Sequence, residues 1–293
     1  MTRTYLFIPL ASAIIYAFAA LAIKRSLQLG VGPWRMAFLS NFILFLIFGS
    51  FIFFVKGSWV PSLWWPALLS GALFFIGQSF TFWALFRGDV SIATPVLGTK
   101  VVLVALFLVL FLGQTLSASV WIAAFMATLG IALLQLGGRA EHRGKTMQTL
   151  ILSFVSATAF AGADVVVQRW CPEIGLQKFM SISATTTFAL SFLLIPFFNA
   201  PLWKLPAGSL YYTFIGLFLL AVQSIGVALA IGFYQDAAGT NIVYASRGLW
   251  SVLVVWFVGH WFANEERQQG KGAMLGRVIG ATLILSAVVL IFV

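Results

Sequence analysis

The sequence predicts an all-α integral membrane protein of ten transmembrane helices, arranged as two inverted five-helix repeats. Three observations carry this expectation. Of the 293 residues 61% are hydrophobic and 8% charged, with a mean hydropathy of +1.04, whereas about a quarter of an average soluble chain is charged. The apolar residues fall into roughly ten continuous runs of about 20 residues, the length that crosses about 30 Å of hydrocarbon at about 1.5 Å per residue. The second half also repeats the hydrophobic outline of the first, in places residue for residue.

The spans are expected, in order, over 4–24, 33–55, 63–86, 91–112, 117–137, 147–169, 177–198, 209–234, 239–262 and 272–292. Runs this long and this evenly apolar read as helices, because barrel strands alternate over about ten residues. The first run is span-length and has an internal counterpart at 147–169, so it reads as a retained helix and not a cleaved signal. Turn-forming residues separate the runs: Gly30 to Pro33, Gly57 to Pro61, Gly137 to Gly144, Pro172 to Gly175, Pro201 to Gly208 and Gly270 to Gly272. The connections are too short for a soluble domain, which confines function to the bilayer or its surface.

The repeat can be aligned by eye. Ser12 to Arg25 (SAIIYAFAALAIKR) falls on Ser156 to Arg169 (SATAFAGADVVVQR), Gln78-Ser79 on Gln223-Ser224, Lys100 on Arg247, and Gly130 on Gly280. The order is kept throughout, and the offset grows only from about 144 to about 150 residues. The units are 1–138 and 147–293, joined by a loop over 139–146. Five helices per unit is an odd number, so the second enters the membrane from the opposite side, the plan of many transporters that hold substrate near the midplane.

With this layout go a basic end to the first helix (AIKRS), an arginine entering the second (GPWRMAF), a proline-containing fourth helix (VSIATPVLGTKVVLVALF) and glycine-bearing fifth and tenth helices. In these features the chain resembles the EamA-like branch of the drug/metabolite transporter superfamily, over nearly its whole length. Members of that branch often carry an acidic residue after the glycine that closes the fourth and ninth helices; here Gln114 follows Gly113 and His260 follows Gly259. The resemblance implies a plasma (inner) membrane permease that moves small organic metabolites by alternating access, often outward, with both termini inside.

The intramembrane polar residues bear on the substrate. Lys100 and Arg247 lie well inside the fourth and ninth spans, where a central cation costs about 2.5 to 3.5 kcal/mol on insertion scales unless it faces a cavity or a partner. One reading has them meet in a water-filled cavity and select a carboxylate or phosphate, as the basic cavities of phosphosugar-carrying superfamily members suggest. The other pairs them with an acid such as Asp164 or Asp236, or lets them snorkel to an interface. Asp164, among small residues of the sixth span, is a proton-coupling candidate or else a fixed counter-ion to Arg169 or Lys100. Gln78 and Gln223 occupy equivalent sites and either orient substrate or join helices. Trp83, Tyr16, Phe160, Tyr244 and Trp250 are candidate cavity walls, in a chain whose many aromatics mostly face lipid or core.

Other classes find little support. Cys171 is the single cysteine, and His142 and His260 show no metal-ligand spacing. No nucleotide loop or Ser-His-Asp arrangement is present, so no cofactor is expected and transport draws on gradients or exchange. The net charge of +10 comes with no groove-reading motif and does not point to nucleic acid. Its distribution favours an outside N-terminus by the positive-inside rule, opposite to the resemblance. The expected partners are a small-molecule substrate and the lipid bilayer, with a homodimer surface as an option on the lipid face. The alternatives to a carrier are a membrane-embedded enzyme or a non-transporting receptor or structural membrane protein.

Overall fold

The computed structural model describes residues 3–53, 61–87, 90–134, 146–258 and 271–292. Among them every regular element is helical. The helices are α1 (Phe7–Gln28), α2 (Pro33–Leu44), α3 (Trp65–Arg87), α4 (Val90–Gly98), α5 (Lys100–Leu112), α6 (Ala118–Leu134), α7 (Thr146–Ile174), α8 (Leu176–Ser191), α9 (Ser209–Tyr234), α10 (Ala237–Tyr244), α11 (Arg247–Val258) and α12 (Lys271–Phe292). Tightened or widened turns extend three of them: Thr4–Leu6 precedes α1, Phe45–Phe53 continues α2, and Phe192–Phe197 continues α8. His142, His260 and the connecting segment up to residue 145 lie outside the described residues.

Eight helical stretches are long and apolar enough to cross a membrane. The expected fifth span, Ala118–Leu134, is a shorter apolar helix of 17 residues. The expected ninth span is two helices of 8 and 12 residues. The fold is therefore that of a multi-span helical membrane protein, and a count of ten rests on these two segments in addition to the eight.

Local chemistry sets the boundaries. Pro33 opens α2, where its fixed φ suits a helix start and its missing N–H is not needed. Gly113, at φ 61°, ends α5 in the left-handed region that costs glycine nothing. Asp236 begins α10 by accepting a hydrogen bond from the Gly239 N–H at 2.8 Å. Its other oxygen accepts from the Tyr5 hydroxyl at 2.5 Å, which ties the start of α10 to the start of the chain.

The fourth span breaks at Thr99, and the ninth breaks at Ala245-Ser246. Pro95 lies inside α4, where it removes one ladder hydrogen bond. In both breaks the chain tightens into a three-residue hydrogen bond just before the cation: Thr99 N–H donates to the Val96 carbonyl and Ser246 N–H to the Val243 carbonyl, each at 3.1 Å. These four residues are counterparts in the repeat alignment. Lys100 and Arg247 each open the helix that follows.

Packing follows the same pairing. α3 lies along α7, and α9 lies along α1; α4 and α5 pack on α7, and α10 and α11 on α1; α6 packs on α12. The crossings are lined by small buried residues such as Ala13, Ala17, Ala157 and Ala161, which let backbones approach. The Ser156 hydroxyl meets Thr81 at 2.6 Å where α7 crosses α3. At the matching crossing of α1 and α9, Ser12 stands so close to Gly226 that an added Cβ would lie 2.1 Å from its oxygen. Large apolar side chains such as Phe111, Phe125, Phe154 and Phe214 are exposed on the outside, as a lipid-facing surface requires.

Candidate functional site

The two helix breaks bring most of the expected site residues into two clusters. In the first, Lys100 Nζ lies 2.8 Å from Asp164 Oδ2, with both side chains largely shielded. Asn241 Nδ2 donates to the same oxygen at 2.7 Å and to the Ala237 carbonyl at 2.9 Å. Lys100 also stands over the Phe160 ring, 5.6 Å from its centroid. The pair thereby links α5, α7 and α10. Asp164 does not pair with Arg169, which bonds Glu173 one turn along α7.

In the second cluster the Arg247 guanidinium lies 4.9 Å from the Tyr16 ring centroid and 4.6 Å from that of Tyr244. The two rings are 6.1 Å apart and meet edge to face, so they form a corner around the cation and not a sandwich. Attraction to a ring quadrupole of this kind contributes about 0.5 to 2 kcal/mol per contact. The Tyr244 hydroxyl donates to Gln223 Oε1 at 2.6 Å, and Gln223 Nε2 is spent on the Leu220 carbonyl and the Ser224 hydroxyl. Gln223 thus positions Tyr244, which in turn borders Arg247.

The clusters correspond under the repeat alignment, which sets Phe160 opposite Tyr16. Lys100 is covered by a ring of α7, and Arg247 by a ring of α1. The correspondence fails at one place: Asp164 falls opposite Ala20. Among the described residues no carboxylate lies within ion-pair distance of Arg247, which is itself only partly buried. Among the described residues, two cations and one carboxylate leave these clusters one positive charge in excess.

The remaining expected site residues lie elsewhere. Gln78 is buried and accepts a hydrogen bond from Asn41 Nδ2 at 2.8 Å, joining α2 to α3. Trp83 is more than a third exposed and its ring contacts Phe80. Trp250 donates from Nε1 to the Ser246 hydroxyl at 3.2 Å and packs against Ala17 and Leu21 of α1. Gln114, after the glycine that closes α5, accepts from Gln168 Nε2 at 3.2 Å, while Gln168 Oε1 accepts from the Ala237 N–H at 2.7 Å. Among the described residues, apolar surface hollows between α4 and α6 and on α12 include neither cation. Among the described residues no group of His, Cys, Asp and Glu could hold a metal.

Sequence reasoning missed Asn241 and Asn41. Each is a single amide in an apolar run, and that is the signal that would have found them, since a buried amide in a membrane helix needs a partner.

No curated protein matches the chain. A crystal structure described only as that of a protein covers 99% of this chain with 98% of its own, at a TM-score of 0.69 and 17% identity; at that identity the likeness shows the fold alone. Residues 2–136 match the EamA-like transporter family. The apolar spans make this a multi-pass membrane protein, and its residues 2–136 are similar to an EamA-like transporter unit, a likeness consistent with the drug/metabolite transporter superfamily.

Proposed function

We propose that the chain is a secondary carrier for small organic anions, amino acids or related zwitterions, working by alternating access between two inverted repeats in the plasma (inner) membrane. The observation that carries the substrate class is Arg247. It is a half-buried arginine at the break of an intramembrane helix, cornered by Tyr16 and Tyr244, with no carboxylate within ion-pair distance among the described residues. A planar fork in that state suits an incoming carboxylate, which it binds through two parallel hydrogen bonds. Lys100 contributes charge nearby but is already engaged by Asp164.

Alternating access is supported by the matched breaks in the fourth and ninth spans, because discontinuous helices near the midplane are where such carriers hold substrate. We read Asp164, held by Lys100 and Asn241, as a fixed counter-ion; its role in proton coupling remains a proposal to be tested by the pH dependence of uptake. Gln223 and Tyr244 are read as positioning residues for Arg247, and Gln78 as a helix-joining amide.

The test is counterflow in proteoliposomes loaded with unlabelled carboxylates, phosphate esters or amino acids, comparing wild type with Arg247→Ala and Arg247→Lys. Trans-stimulated uptake of carboxylates that Arg247→Ala abolishes and Arg247→Lys keeps in part is the expected result. Uptake confined to cations or neutral solutes, unchanged in both variants, would overturn the reading.

A further inference from the structure

We infer that Asp164 sets the charge of the substrate, and that the site takes an organic acid with a single carboxylate in preference to a dianion. This rests on the carrier reading of Arg247 and deepens it. The argument starts from the break in the repeat pattern. Both first helices present a ring to the opposite cation, Tyr16 to Arg247 and Phe160 to Lys100. One turn further along, α7 carries Asp164 and α1 carries Ala20. The consequence is that one of two equivalent cations has a carboxylate at 2.8 Å, while among the described residues the other has none within ion-pair distance.

Asn241 strengthens the assignment. Its Nδ2 donates to the Asp164 oxygen that also meets Lys100, and the Ala237 carbonyl one turn earlier in α10 accepts the second bond. Asp164 is thus held toward Lys100 and away from exchange with an incoming carboxylate. Arg247 has a ring corner on one side and offers the rest of its rim. A monocarboxylate brings one negative charge to one unbalanced positive charge. A dicarboxylate brings a second charge that finds Lys100 already compensated, and a charge left unpaired in a site only partly open to water is disfavoured. The Tyr16 and Tyr244 rings further suit an apolar or aromatic body beside the carboxylate.

The experiment measures the concentration of ligand giving half-maximal thermal stabilisation of the detergent-purified protein, using benzoate against phthalate, hexanoate against adipate, and benzamide as the neutral control. Wild type is expected to respond to the monocarboxylates at concentrations about tenfold lower or more, a modest ratio for one uncompensated charge. Asp164→Asn frees Lys100 and is expected to move the ratio by about tenfold toward the dicarboxylates. Ala20→Asp builds the missing counter-ion beside Arg247 and is expected to abolish the response to all four acids. Should Asp164→Asn not fold, Ala20→Asp decides, together with the paired variant Lys100→Met/Asp164→Leu, which keeps the excess charge and should keep the wild-type ratio.

Equal response to mono- and dicarboxylates in wild type, or an unchanged ratio in Asp164→Asn with a full response in Ala20→Asp, would overturn this inference while leaving the carrier reading intact. No response to any acid in wild type, matched by Arg247→Ala, would overturn the carrier reading at Arg247 itself.

Discussion

Gly130 and Gly280, which the repeat alignment sets opposite each other, lie backbone against backbone where α6 crosses α12. A Cβ on Gly130 would stand 2.8 Å from the Gly280 carbonyl oxygen, and one on Gly280 would stand 2.6 Å from the Gly130 oxygen. A residue touches its own counterpart only on the axis that relates two copies, so this contact supports the inverted-repeat reading. It also fixes a prediction. Alanine at either position meets a backbone carbonyl that no side-chain movement can clear, and should destabilise by about 1 to 3 kcal/mol through forced separation of the helices. Gly162 is the control, because its added Cβ would meet only the Leu73 side-chain tip at 3.3 Å. Thermal unfolding should show Gly130→Ala and Gly280→Ala well below Gly162→Ala; equal midpoints for all three would remove the axis contact from the argument.

The Lys100–Asp164 pair should behave as a unit. Removing either partner strands the other in a shielded site and should cost about 3 to 5 kcal/mol, whereas replacing both by apolar residues of similar volume is often neutral or better. Lys100→Met and Asp164→Leu, singly and together, form the cycle. The expected outcome is strong non-additivity, with the double variant more stable than either single one. Additive losses would mean that the two groups do not depend on each other in the folded protein.

Much of this was legible in the sequence because charge is rare in it. Lys100, Arg247 and Asp164 stand out in apolar runs, and the repeat made the first two counterparts before any coordinates. The helix breaks were half legible: Pro95 signals the first, but the stretch from Ala237 to Arg247 has no proline, and its break depends on a tightened turn at Ser246 that no residue type demands. The partner of Asp164 was not legible either, since Arg169 is nearer in sequence and Lys100 is reached only through the packing of α5 on α7. Tyr16 and Phe160 were visible as two of many aromatics; only the fold separates them from the rings that face lipid.

Tyr244 has two jobs that substitution can separate. Its ring borders Arg247, and its hydroxyl satisfies Gln223 Oε1. Tyr244→Phe keeps the ring and strands a buried amide oxygen, so it should cost about 1 to 3 kcal/mol in stability with little change in the benzoate response. Tyr16→Leu removes a ring contact and no hydrogen bond seen here, and should weaken the anion response through a less well-held Arg247, by the equivalent of about 0.5 to 2 kcal/mol. Unfolding midpoints and half-maximal ligand concentrations on the same samples check both. A Tyr244→Phe protein as stable as wild type would count against Gln223 as a positioning residue.

Arg35, the arginine that enters the second helix, fastens loops to one another. It is 1% exposed. Its Nη1 donates to the carbonyls of Pro201 and Lys204 at 3.1 and 3.0 Å, and its Nη2 to that of Gly30 at 3.2 Å, a carbonyl that also accepts from Asn199. These carbonyls belong to the turns after α1 and before α9, so one guanidinium fastens two connections far apart in the chain. Hydrogen bonds from a charged group contribute about 1.5 to 3 kcal/mol each, and stranding the acceptors adds to the loss. Arg35→Ala should therefore lower stability by about 3 kcal/mol or more. Arg35→Lys should recover only part, since a compact ammonium on a shorter reach cannot span three carbonyls in a fork. What separates this from a role in transport is the ligand response. The folded fraction of Arg35→Lys should show the wild-type half-maximal benzoate concentration despite its lower midpoint, whereas a shift in that concentration as large as that of Arg247→Lys measured alongside would assign Arg35 to the substrate path instead.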